Sequence, residues 1–162
     1  IVMIGSSAGG TAAVLFGSML DADIVFDFNG QFEINSSIQK DKIKPLEDLK
    51  GIYGCYYNLV DIVSNTQNIY YFVSSNSYWD IQQWKHSRNM NLNRIYFSTS
   101  HHGIPFLKCA LPKILDMNKK DLSKLADRHF NPLLFTIRYA GVISTIKEII
   151  KIIDIKLKER FR

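Results

Sequence analysis

Two cysteines in 162 residues, Cys55 and Cys109, stand far apart and outside any metal-ligand spacing. That excludes a disulfide scaffold and leads us to expect reduced, buried thiols in a cytoplasmic-type compartment. No run of 18 apolar residues is present, so no membrane span is expected, and no signal-peptide pattern opens the chain. A P-loop is missing. His101 and His102 are adjacent rather than four apart, so they do not form a helical zinc pair, and neither a metal nor another cofactor is expected. Basic residues are not interleaved with aromatics along one stretch, which argues against a nucleic-acid partner. The net charge of +5 is concentrated near the C-terminus and says little about the body of the protein.

What the chain does have is apolar residues, 46% of the total, enough for one domain with a substantial core. Ile1-Val2-Met3-Ile4 has the β-branched content of a buried parallel strand. The small-residue turn Gly5-Ser6-Ser7-Ala8-Gly9-Gly10 follows, and a helix is expected from Thr11 to about Leu20. The chain starts inside that strand without a Met, so we expect its true N-terminus to lie upstream.

Strand, tight turn and helix are the setting of a G-x-S-x-G nucleophile elbow, and Gly5-Ser6-Ser7-Ala8-Gly9 fits it. The residues two before and two after Ser7 must be small, because the turn brings strand and helix backbones together. Here the chain resembles the α/β-hydrolase family. The resemblance implies that Ser7 is the nucleophile, projecting above the sheet at the helix N-terminus, and that the Ala8 N–H is one oxyanion donor. It places the second donor on a loop after an earlier strand, outside this chain. A phosphate-binding turn with Asp27 on a ribose is the rival, Rossmann-like reading, although its fingerprint wants glycine where Ser7 stands.

Further strands are expected at Ile24–Phe28, Ile69–Val73 and Asn93–Ser98. A polar excursion is expected from Gln31 to about Lys50, with a short helix near Leu59–Val63. Other helices are expected from Ile81 and from Ile104, the second made irregular by Pro112. Strand–helix alternation without an internal repeat predicts an α/β fold. Its parallel sheet would have about four strands and helices on both faces, as a partial α/β-hydrolase-like domain over residues 1–117. Residues 118–162 are expected to form a helical C-terminal extension.

Ser7, Asp80 and His102 follow the chain order of the hydrolase triad. Each lies just beyond the C-terminal end of an expected strand, where ligands bind in open α/β sheets. The resemblance makes His102, which precedes Gly103, the base and Asp80 its orienting acid. His101 remains the competing base and Asp27 the competing acid. Asp80 also reads as the N-cap of the helix from Ile81, and His86 and His129 read as surface residues in helical contexts. The expected activity is that of a serine hydrolase, an esterase or acyl transferase acting on a small ester or acyl substrate. The alternative is a binding or scaffold protein that has kept the fold and lost catalysis.

Beyond residue 141, Val142, Ile143, Ile146, Ile149, Ile150, Ile153 and Leu157 recur at helical spacing, and Ile152 and Ile155 broaden the stripe. Six basic side chains oppose Glu148, Asp154 and Glu159 there. This 142–162 helix is suited to contact either protein or a membrane surface. We expect its apolar stripe to be packed against protein.

Overall fold

Strand β1 (Val2–Ser6) leads through a single turn residue into helix α1 (Ala8–Met19), and β2 (Ile24–Phe28) pairs beside β1 in parallel. The computed structural model describes residues 1–33, 58–63 and 68–160. Cys55 and most of the polar excursion expected from Gln31 to Lys50 lie outside these residues. The elements that follow are α2 (Val60–Val63), β3 (Ile69–Ser74), α3 (Tyr78–His86) and β4 (Asn93–Phe97). Two short helices, α4 (Leu111–Leu115) and α5 (Lys119–Ser123), precede β5 (Arg128–Phe130), and α6 (Pro132–Ala140) and α7 (Val142–Arg160) close the chain.

Among the described residues, five strands form one parallel sheet in the order β1-β2-β3-β4-β5. The sheet therefore has one strand more than the four expected. The extra one lies inside the segment expected to be a helical extension. Leu122, Leu125 and Phe135, from that segment, are buried in the same core as Phe72 and Phe97. The division at residue 117 thus cuts through a continuous core.

Helices cover both faces, as strands buried on two sides require. On one face Ala13 and Val14 of α1, Val63 of α2 and Trp84 of α3 pack over Val25, Tyr71 and Val73. On the other, Phe106, Ile114, Leu122 and Phe135 pack over Phe26, Phe28, Phe72 and Phe97. Phe135 meets Phe97 edge-on at 4.8 Å between ring centroids, a geometry that adds to the gain from burial alone. β3 is buried at every position, whereas Val2 and Ile4 of β1 are exposed.

Local chemistry sets the boundaries. Ser77 caps α3, its hydroxyl accepting the Asp80 N–H, so the helix starts three residues before Ile81. Asp80 is therefore an interior first-turn residue and not the N-cap. The helix expected from Ile104 begins later, as a 3₁₀ turn (Lys108–Ala110) running into α4, with Pro112 in the first turn, where its missing N–H costs nothing. Asn131 caps α6 through the Leu133 and Leu134 N–H groups, and Pro132 occupies its first turn. Gly141, at φ 81°, separates α6 from α7.

A candidate catalytic triad at the C-terminal edge of the sheet

Ser7 occupies the sharp turn between β1 and α1 with φ 56° and ψ −124°, a conformation that costs a non-glycine residue roughly 1–3 kcal/mol. The surroundings hold it there. The Ser7 N–H donates to the Phe28 carbonyl at 2.9 Å, and the Ser7 carbonyl accepts the Thr11 N–H at 3.1 Å. A Cβ on Gly5 would lie 1.9 Å from the Gly9 carbonyl oxygen, so the close approach of strand and helix needs glycine at that position. At Gly9 a Cβ would meet nothing within 4 Å, whereas at Gly10 it would lie 2.2 Å from Asp27 Oδ1. The second small residue the elbow needs is therefore residue 10, not residue 9.

His102 stands between Ser7 and Asp80. Its Nε2 lies 2.7 Å from Ser7 Oγ and its Nδ1 lies 2.8 Å from Asp80 Oδ1. A carboxylate only accepts, so Nδ1 carries the proton and Nε2 is left as the acceptor for the Ser7 hydroxyl. Ser7 follows β1 directly, Asp80 lies in the first turn of α3 after β3, and His102 lies in the loop after β4, so the parallel strands bring all three to one rim. Asp80 is buried, while the His102 side chain is 40% exposed and can reach a substrate. Ala8 is the first residue of α1, where backbone N–H groups lack helical acceptors and the helix dipole is positive.

The competing residues are placed elsewhere. The His101 N–H donates to Thr99 Oγ1, and its carbonyl accepts from Ser74 Oγ at 2.7 Å. Asp27 is fully buried, with Oδ1 accepting the Gly30 N–H at 2.8 Å. The carboxylate beside His102 Nδ1 is that of Asp80 instead. His86 is half-buried, 3.0 Å from Asn58 Oδ1. His129 lies on β5 rather than a helix, stacked 4.6 Å from the Tyr96 ring. Tyr78 and Trp79, beside Asp80, are exposed and form no part of the core.

Two further residues, Asn29 and Ser74, hold the histidine loop. Asn29 is buried at φ 53°, a conformation asparagine tolerates better than most residues. Its amide donates to Ser74 Oγ and to the Gly103 carbonyl, both at 2.7 Å, and its Oδ1 accepts the Ser74 N–H. Asn29 and Ser74 thus grip the carbonyls on either side of His102. Asn29-Gly30 at a strand end is the one local signal that marks them, and it reads first as a turn.

Behind the triad, Asp27 of β2, Tyr71 of β3 and Arg94 of β4 stand in register across the sheet. Desolvation, opposed by the Gly30 N–H and reinforced by the Asp80 charge, pushes the Asp27 carboxyl up to about 8. Burial also raises the Tyr71 hydroxyl well above its ordinary range, with the Asp27 and Asp80 charges acting in the same direction. A carboxyl raised in the folded state stays protonated there, while the unfolded chain releases its proton above about pH 4. The stability this group contributes is therefore complete below about pH 4 and declines as pH rises towards 8, by roughly 1.4 kcal/mol per pH unit. Asp27→Asn, neutral at every pH, is expected to flatten that decline and to raise stability at pH 8 by about 2 kcal/mol or more. Urea midpoints at pH 5 and pH 8 check this. An Asp27→Asn variant no more stable than the parent at pH 8 contradicts it.

No family model, curated protein or solved structure matches this chain.

Proposed function

We propose that the chain carries the nucleophile, base and acid of a serine hydrolase with an α/β-hydrolase-like sheet, acting as an esterase or acyl transferase. The observation that carries this reading is the continuous relay from Ser7 Oγ through His102 to Asp80 Oδ1, with both hydrogen bonds under 3 Å. A serine hydroxyl is a weak nucleophile until a base takes its proton. His102 Nε2 takes that proton as Oγ attacks the substrate carbonyl, and Asp80 stabilises the imidazolium that forms. The Ala8 N–H, at the first position of α1, is the donor we assign to the developing oxyanion. His102 then returns the proton to the departing alcohol, leaving an acyl group on Ser7 for transfer to water or to a second hydroxyl. The strained turn supports the reading too, because strain of this kind concentrates at functional sites.

A fluorophosphonate probe tests it. The folded protein is expected to take up one probe per chain, with the adduct on the peptide that contains Ser7. A folded protein that takes up none favours the scaffold reading.

A further inference from the structure

Helix α7 is continuous from Val142 to Arg160, and its apolar stripe is exposed rather than packed against the domain. Ile143 is 73% exposed and Ile150 61%, and Ile146, Ile153 and Leu157 are each about half exposed. The helix is anchored by a different face. Thr145 is buried, and the Glu148 carboxylate accepts the Lys108 and Cys109 N–H groups at the start of the 3₁₀ turn before α4.

Of the seven exposed apolar positions on α7, five, 143, 146, 150, 153 and 157, are separated by three, four, three and four residues. That is the a/d spacing of a heptad repeat, with Val142 and Ile155 exposed beside it. Four of its five positions are isoleucine. With a at 143, 150 and 157, the seam-flanking e positions are Lys147 and Asp154. In an antiparallel pair of such helices, e faces e. Layers 150/153′ and 157/146′ then set Lys147 of one chain against Asp154 of the other, twice, about a two-fold axis. A parallel pair would instead set Lys147 and Asp154 against Val142 and Ile149, leaving both charges without partners. Lipid is the weaker occupant, because Asp154 lies in the same arc as Lys147 and Lys151 and offsets their attraction to anionic headgroups.

We infer that α7 docks on a second copy of this chain as an antiparallel two-helix seam, with Lys147 and Asp154 pairing across the two-fold axis. In the single chain, Asp154 already accepts from Lys158 at 2.6 Å. Lys158 takes Oδ2, and the other carboxylate oxygen, Oδ1, can accept from a second cation across the seam.

Sedimentation equilibrium of the full chain over a range of concentrations tests this. Twice the monomer mass is expected. Ile150→Asp is expected to give a folded monomer with a cooperative thermal transition, because residue 150 is exposed in the single chain and the substitution removes only the stabilisation that association supplies. Lys147→Asp and Asp154→Lys, each alone, set like charges opposite and are expected to weaken association roughly tenfold or more. The double variant is expected to restore it. A monomer at every concentration, a dimer indifferent to Ile150→Asp, or a double variant no better than the singles overturns the proposal. So does a monomer that binds phosphatidylserine vesicles through residues 142–160. These outcomes are independent of Ser7, so they stand apart from the test of the hydrolase reading.

Discussion

Replacing Ser7 with alanine is expected to remove fluorophosphonate labelling and to lower ester turnover by about 10⁴-fold or more, leaving the fold intact. The expectation follows from what the side chain touches. Its hydroxyl lies against His102 Nε2, and the bonds that fix the turn, to Phe28 and from Thr11, use the Ser7 backbone. Alanine keeps the Cβ and the backbone strain, so stability should hardly change while the nucleophile disappears. Turnover and thermal unfolding measured on the same preparation separate the two effects. Labelling that survives in the Ser7→Ala variant places the reactive group elsewhere.

Asp80→Asn is expected to cost turnover roughly 10⁴-fold with little loss of fold. An amide facing His102 Nδ1 can donate its NH₂, which forces the imidazole proton onto Nε2. That nitrogen then cannot accept from Ser7. The helix cap survives, since the Ser77 hydroxyl accepts from the Asp80 backbone N–H. Asp27→Asn, the same chemical change one element away, removes no partner of His102 and should leave most of the turnover. Steady-state kinetics of the two variants side by side distinguish the acid that orients the base from the buried one behind it. Equal losses contradict the assignment.

Much of this arrangement was legible in the residues. Strands β1 to β4 announce themselves through β-branched and aromatic runs closed by small polar residues. The elbow is a contiguous motif, and Ser7, Asp80 and His102 each sit where such a strand ends. What escaped had physical reasons. β5 is three residues, Arg128-His129-Phe130, two of them exposed, too short for a period-two pattern to show. Asp80 reads as a cap because the apolar pattern resumes at Ile81, yet the Ser77 hydroxyl caps the helix and starts it at Tyr78. The need for glycine at position 10 comes from Asp27 of the next strand, a contact no local pattern records. Asn29 and Ser74 are 45 residues apart, and a buried polar pair has no periodicity to betray it. The Ile stripe of α7 was legible as a stripe. Its exposure was not, because that depends on which face Thr145 and Glu148 turn to the domain.

The central claim is that Ser7 carries an acyl group during turnover. The direct measurement is the mass of the chain quenched while it turns over an activated ester, followed by mapping of the modified peptide. An acyl adduct on Ser7 in the parent chain, missing from the Ser7→Ala variant, is the result expected from the relay to His102 and Asp80. Turnover with no adduct, or an adduct on any other residue, would contradict it.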